Sequence, residues 1–201
     1  MARPARRRGT LAVLALAVLT PLLAACGLSG TNSGGYIVGD GQVQAVAVAK
    51  RSTPVELSGT TLDGKPFVPS SVAGKVTVVN VWGAWCGACR EEAAFVQGAH
   101  EDLGSKVAFV GIDIRDPSAA TAQAYERSYD VTYPSLFSTD GSVLGAFPRN
   151  LLPGTVPATM VLDTKGRVAA VIRGAVPSKL TLTETVQCVE DPSGQGCADF
   201  E

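Results

Sequence analysis

The sequence has few of the residues that a nucleic-acid-binding surface requires. Of its 201 residues, 17 are lysine or arginine and 18 are acidic, and no basic stripe with interleaved aromatic residues is present. Four of the basic residues are arginines within the first ten positions, which leaves 13 for the rest of the chain. Polyanions are bound by clustered lysine and arginine side chains. We therefore exclude nucleic acid as a partner.

Histidine is almost absent, which argues against a zinc site. His100 is the single histidine of the chain. A structural zinc ion takes four cysteine or histidine ligands, so a pair of cysteines would still need two more ligands at suitable spacing. The sequence therefore predicts no metal and no cofactor, and His100 is expected at the surface of a helix.

The N-terminal apolar run is too short for a permanent membrane-spanning helix. Residues 11–23 are apolar except for Thr20 and Pro21, whereas about 20 apolar residues are needed to cross the hydrocarbon layer. Several arginines and no acidic residue precede the run. This pattern is typical of an export signal, which we assign to residues 1–25.

The end of this run, Leu-Ala-Ala-Cys at positions 23–26, resembles the lipobox of bacterial lipoproteins. The resemblance implies lipidation of Cys26 and a lipid anchor at the extracytoplasmic face of the cell membrane. A plain secretory signal followed by an incidental cysteine is the alternative, and both interpretations export the protein. Residues 26–42 are rich in glycine and small polar residues, which predicts a flexible tether.

The remaining residues, 43–190, are predicted to form one α/β domain, followed by a C-terminal tail at 191–201. Valine-rich apolar runs are typical of strands buried on both faces, and Asp-Gly or Lys-Gly turns between extended segments predict hairpins. The buried strands are expected at residues 76–82 and 107–114, an N-terminal hairpin around 62–65, and a second hairpin around 163–166.

Three helices complete the predicted domain. Apolar positions at helical spacing predict the first over residues 88–103, and Asp116-Pro117 predicts the start of a second that extends to about Tyr129. Residues 178–189 are expected to form the closing helix. A βαβ unit followed by a hairpin and a helix predicts a central mixed sheet flanked by helices on both faces, as in the thioredoxin-like fold.

A pair of cysteines, Cys86 and Cys89, is expected where the first strand ends and the first helix begins. The amides of a first helical turn favour a thiolate over a thiol, and they can lower a cysteine pKa from about 8.5 to roughly 3.5–7.5. Thiolate is the attacking species in disulfide exchange. We therefore interpret Cys86 as the nucleophile and Cys89 as the resolving thiol. A purely structural disulfide or half of a zinc site is the alternative.

The segment 81–89, VWGAWCGAC, resembles the active-site segment of the TlpA/ResA-like branch of the thioredoxin superfamily. The segments 133–137, YPSLF, and 155–159, TVPAT, resemble further parts of that family's pattern. The resemblance implies a cis-proline at Pro157 packed opposite the disulfide, with Val156 offering its backbone to an extended substrate. Trp85, Gly87 and Ala88 would support the active site.

This sequence departs from the family pattern at three positions. Ala88 stands where the family usually has proline, and Gly87 where some relatives have a glutamate. Asn80 stands where cytoplasmic thioredoxins carry a buried acid, so the proton acceptor for Cys89 is unassigned. Glu92 matches a glutamate common in relatives, but on an amphipathic helix we interpret it as a solvated charge.

The remaining two cysteines, Cys188 and Cys197, lie at the end of the closing helix and in the loop after it. An oxidising compartment favours their pairing. We predict a structural disulfide that pins the C-terminal tail. With one lipidated and two catalytic cysteines, this assignment accounts for all five.

These features predict an extracytoplasmic thiol–disulfide oxidoreductase that acts on thiols and disulfides of exported proteins. The resemblance implies a membrane thiol electron carrier as a partner and a role in cytochrome c maturation. A peroxiredoxin-like peroxidase is a second interpretation, although a Pro-x-x-x-Thr-x-x-Cys segment is absent. A third is a non-catalytic thioredoxin-like module that holds extended peptides.

Overall fold

A computed structural model describes residues 43–201. The predicted signal peptide at 1–25, the lipidation site Cys26 and the tether at 26–42 lie outside the described residues. In the part that is described, no helix is both long enough and apolar enough to cross a membrane.

The strands of residues 43–201 are β1 Val43–Ala45, β2 Gly59–Thr60, β3 Pro66–Phe67, β4 Thr77–Trp82, β5 Ala108–Ile114, β6 Ser135–Ser138, β7 Ala158–Leu162 and β8 Val168–Arg173. Six of them form a mixed sheet at the centre of the domain, in the order β1-β8-β7-β4-β5-β6. The pairs β4–β5 and β5–β6 are parallel, and the remaining pairs are antiparallel. Strands β2 and β3 form a separate two-stranded hairpin. The predicted mixed sheet and N-terminal hairpin are confirmed.

The two faces of the sheet have different coverings. Alternate residues of a strand point to opposite faces, and every residue of β4 is buried. Val78 and Trp82 belong to the apolar clusters that contain residues of the three α-helices. Val79 and Val81 belong to a cluster whose other members come from strands, loops and 3-10 helices. The α-helices are α1 Gly87–Leu103, α2 Ala119–Ser128 and α3 Lys179–Glu190.

The predicted start of α3 is confirmed, whereas the predicted start of α2 is wrong. Helix α3 begins after Ser178, whose side chain accepts the N–H of Thr181, as expected for an N-cap. Helix α2 does not begin at Asp116-Pro117. Its N-cap is Ser118, which accepts the N–H of Thr121. Asp116 instead accepts the backbone N–H of Ala84.

The C-terminal segment packs into the domain. Cys188, near the end of α3, forms a disulfide with Cys197, with a Cα–Cα distance of 5.2 Å. Phe200, three residues later, is completely buried in the cluster that joins α1 and α3 to the sheet. The tail therefore contributes to the core.

Candidate active site

Cys86 and Cys89 lie at the N-terminus of α1, joined by a disulfide with a Cα–Cα distance of 5.3 Å. Cys86 is the N-cap residue, and its Sγ accepts the N–H of Cys89 at 3.1 Å. Cys86 exposes 4 % of its surface to solvent, whereas Cys89 exposes none. A sulfur at this position lies at the positive end of the helix dipole, which stabilises a thiolate.

The loop before the pair is held against the end of β5. The N–H of Ala84 donates to Asp116 Oδ2 at 2.8 Å, and Trp85 Nε1 donates to the carbonyl of Ile114 at 3.0 Å. Gly83 permits the second contact, because a methyl group there would collide with the Trp85 indole nitrogen and lie 2.9 Å from the Ile114 oxygen. Trp85 still exposes 47 % of its surface.

The structure brings the other expected site residues to the same end of the domain. The peptide bond between Val156 and Pro157 is cis. Val156 and Ala88, both partly buried, pack against the apolar cluster that contains the two cysteines, and Gly87 is the exposed first residue of α1.

Glu92 is buried, which corrects its interpretation as a solvated charge. Only 1 % of it is exposed. Its Oε1 accepts the amide N–H of Asn80 at 2.8 Å, and its Oε2 accepts the backbone N–H of Val176 at 2.6 Å. Burial raises the pKa of Glu92 to about 7, although both hydrogen bonds oppose that rise. A carboxyl group with this pKa changes its protonation state near neutral pH.

Sequence reasoning also missed a second buried acid. Asp113 is fully buried on β5, opposite Trp82 of β4. Burial, together with repulsion from the neighbouring Asp116 carboxyl group, raises the pKa of Asp113 to about 8. Asp113 therefore carries a proton at neutral pH. The sequence signal for it was its position within residues 107–114, a run predicted to be buried on both faces.

Helix α2 is anchored to the active-site helix by an aromatic side chain. The hydroxyl of Tyr125 donates to the carbonyl of Cys89 at 2.7 Å, and its ring stacks on Trp82 with centroids 4.4 Å apart. Trp82 is 2 % exposed and belongs to the core. Tyr125, on α2, thus holds both the carbonyl of Cys89 and the indole of Trp82 in place.

His100 lies far along α1 from the cysteines and is half-buried, not a plain surface residue. Its ring packs against Phe109 and Tyr133, with centroid distances of 5.0 and 5.5 Å. Burial lowers its pKa. Among residues 43–201, no group of three histidine, cysteine or acidic side chains is arranged to hold a metal ion.

The Redoxin family profile matches residues 41–187, which include the disulfide, the cis-proline and the whole central sheet. The chain belongs to the Redoxin family. Two relatives of this redoxin are thiol-disulfide oxidoreductases named ResA. The protein of Geobacillus kaustophilus is 27 % identical over 82 % of this chain and 88 % of its own length. That of Bacillus subtilis is 28 % identical over 62 % of this chain and 64 % of its own length.

Comparison with solved structures indicates the same class of protein. A DsbF homologue from Corynebacterium diphtheriae superposes with a TM-score of 0.64 at 30 % identity, covering 77 % of this chain and 97 % of its own. A secreted disulfide oxidoreductase of Mycobacterium tuberculosis, homologous to Escherichia coli DsbE, superposes with a TM-score of 0.59 at 27 % identity, covering 67 % and 96 %. The predicted thioredoxin-like fold and the class, a thiol–disulfide oxidoreductase, are confirmed.

Proposed function

We propose that this redoxin exchanges disulfides with exported proteins through Cys86 and Cys89, at the extracytoplasmic face of the cell membrane. The observation that carries the proposal is the asymmetry of the pair. Cys86 caps α1 and keeps some exposure, whereas Cys89 has none. A substrate sulfur can therefore reach only Cys86, at the position where a thiolate is stabilised.

Reduction of a substrate disulfide takes two exchange steps. The Cys86 thiolate attacks one sulfur of a substrate disulfide, a bond forms between the two, and the second substrate sulfur leaves as a thiolate. The Cys89 thiolate then attacks the Cys86 sulfur, which forms the Cys86–Cys89 disulfide and releases the first substrate sulfur. Two electrons pass from the cysteine pair to the substrate, and the reverse order oxidises a substrate dithiol.

Cys89 must lose a proton before it attacks, and Glu92 is the group that we assign to accept it. Glu92 lies three residues after Cys89 on α1, a spacing that places two side chains on one helix face. Both residues are buried. With a pKa of about 7, the carboxyl group can take a proton and return it near neutral pH.

The proposed location and partners rest on the sequence and on the relatives. The leader at 1–25 and the lipobox cysteine Cys26 support export and a lipid anchor, and a solved relative is described as secreted. A membrane thiol electron carrier would return the cysteine pair to its starting redox state after each cycle. The resemblance to TlpA/ResA-like proteins makes apocytochrome c cysteines candidate substrates.

Trapping of mixed disulfides tests the assignment of the two sulfurs. In cells that express Cys89→Ser, we expect partner proteins to accumulate in disulfide linkage to Cys86, because the sulfur that would release them is absent. Cys86→Ser should trap none, and Cys188→Ser in the background of native Cys86 and Cys89 serves as the control for adventitious thiol capture. Equal trapping by Cys86→Ser and Cys89→Ser would refute the proposed roles.

A further inference from the structure

A cleft of about 490 Å³ lies directly beside the active-site loop. It is bounded on one side by the loop residues that precede Cys86 and on the other by the segment that connects β5 to α2. The lining residues are Ala84, Trp85, Arg115, Asp116, Pro117 and Thr121. Trp85, the residue before the proposed nucleophile, lines this cleft, so the cleft adjoins the place where a substrate cysteine would react.

The available charge in this cleft is positive. Arg115 is exposed, and its guanidinium carbon lies 5.9 Å from the centroid of the Trp85 ring. Within residues 43–201, Arg115 forms no ion pair with an acidic side chain. Asp116, the one acid of the lining, is 2 % exposed and already accepts the N–H of Ala84. The guanidinium therefore retains donors for an external acceptor.

The backbone that presents Arg115 is strained. Arg115 has a φ of 63°, in the left-handed region that residues with a side chain rarely adopt. Its two neighbours both hold the active-site loop, through the carbonyl of Ile114 and the carboxylate of Asp116. These contacts fix the turn, and the turn places the cation beside the exposed indole of Trp85.

A second cation lies close to the loop. Arg90 donates from Nη1 to the carbonyl of Ala84 at 2.8 Å, and the side chain of Arg90 reaches the vicinity of Gly87. The nearest buried acid on α1, Glu92, is enclosed by the core. The surface around Cys86 thus combines an aromatic face with two arginines, although the whole chain has a formal charge of −1.

We propose that this cleft binds an acidic side chain of the substrate polypeptide, next to the substrate's reactive cysteine, and that Arg115 is the residue that selects it. The inference rests on the proposed function and names its substrate class: polypeptides with aspartate or glutamate within about one to three residues of the cysteine. An extended chain advances about 3.3–3.6 Å per residue, so such a spacing suits a cleft that starts at Trp85. Charge complementarity at an exposed site mainly affects the rate of encounter.

The test uses the reduced full-length protein and three synthetic peptides that differ at two positions. Each peptide carries one cysteine in disulfide linkage to a neutral small thiol, flanked by two aspartates, two asparagines or two lysines. The second-order rate of exchange is divided by the rate of the same protein variant with bis(2-hydroxyethyl) disulfide, a neutral small disulfide. This ratio removes changes in the intrinsic reactivity of Cys86.

We expect the native protein to react about threefold or more faster with the aspartate peptide than with the lysine peptide at low salt. The difference should shrink at about 0.5 M salt, because dissolved ions screen charges at the protein surface. Arg115→Asn should abolish most of the preference, and Arg115→Asp should invert it. Asparagine and aspartate tolerate the left-handed backbone, so both variants are expected to fold.

Lys106→Asp is the matched control, because it makes the same change of charge at an exposed residue beyond the other end of α1. It should retain the native preference. Equal rates with all three peptides in the native protein, or the same loss in Lys106→Asp as in Arg115→Asp, would overturn the selection by Arg115 and leave the disulfide exchange standing. Failure to react with any of the disulfides would overturn the proposed function as well.

Discussion

Asn80 donates its side-chain amide to the carboxylate of Glu92 at 2.8 Å, across the interface between β4 and α1. The same amide also donates to the hydroxyl of Thr159 on β7. Position 80 is where cytoplasmic thioredoxins carry a buried acid. In this redoxin the strand supplies the amide, and the helix supplies the buried carboxyl group three residues after Cys89.

The first prediction concerns the release of the mixed disulfide. Glu92→Gln removes the proposed proton acceptor for Cys89, and loss of a general base typically slows a step by about 10²-fold or more. We expect that step to slow by at least about tenfold at pH 7, measured by quenching a single turnover and following the mixed disulfide by mass spectrometry. Glu91→Gln, an exposed neighbour, is the control. An equal effect of the two substitutions would contradict the role of Glu92.

The second prediction concerns stability as a function of pH. Burial raises the pKa of Glu92 from an ordinary 4.5 to about 7, so between these values the folded protein keeps a proton that the unfolded chain releases. The free energy of unfolding should therefore fall as pH rises through this interval, by about 3 kcal/mol for this one group.

Denaturant titrations of the oxidised protein between pH 4 and 9 measure that dependence. Glu92→Gln should lose about half of the decrease between pH 4.5 and 7, because glutamine does not titrate. Part of the slope should remain, since Asp113, with a pKa of about 8, acts in the same direction. A variant whose pH dependence matches that of the native protein would show that Glu92 does not titrate in this range.

The third prediction concerns Gly83. A methyl group at this position would displace the Trp85 indole from the carbonyl of Ile114. We expect Gly83→Ala to lower the free energy of unfolding by about 1–3 kcal/mol and to change the tryptophan emission, because Trp85 moves while Trp82 stays buried. Gly145→Ala is the control, since a methyl group there meets nothing within 4 Å. Unchanged emission in Gly83→Ala would exclude the proposed clash.

The fourth prediction concerns the disulfide between Cys188 and Cys197. Replacement of both residues by serine opens a short loop, and a chain-entropy argument gives a loss of about 2–3 kcal/mol in the free energy of unfolding. We expect exchange activity to persist, because neither sulfur lies in the site at the start of α1. Loss of activity in a variant that remains folded at the assay temperature would instead assign these sulfurs a redox role.

The fifth prediction concerns Cys26. If the lipobox is used, Cys26→Ser removes the acceptor of the lipid and the protein should move from the membrane fraction to the soluble fraction. The measurement is fractionation followed by immunodetection, with extraction by salt and by detergent compared. Retention of Cys26→Ser in the membrane fraction after salt extraction would contradict a lipid anchor at this residue.

Local patterns predicted much of the fold. The strands at β4 and β5, the hairpin around residues 163–166 and the helix after Ser178 follow from the hydrophobic pattern, turn chemistry and capping, all of which act over a few residues. The start of α2 was wrong because Asp116 and Ser118 are both acceptable N-caps. Asp116 is instead used by Ala84, which is distant in the sequence and next to it in space.

The sequence by itself determined that a cysteine pair opens a helix after a buried strand, since this depends on neighbouring residues alone. Only the tertiary structure decided that Glu92 is buried, that Asp113 carries a proton and that Arg115 faces the cleft beside Trp85. Those properties depend on which strands, helices and loops enclose a side chain, because desolvation and charge interactions are set by neighbours in space. A helix pattern cannot distinguish an acid that faces water from one that faces Asn80 and Val176.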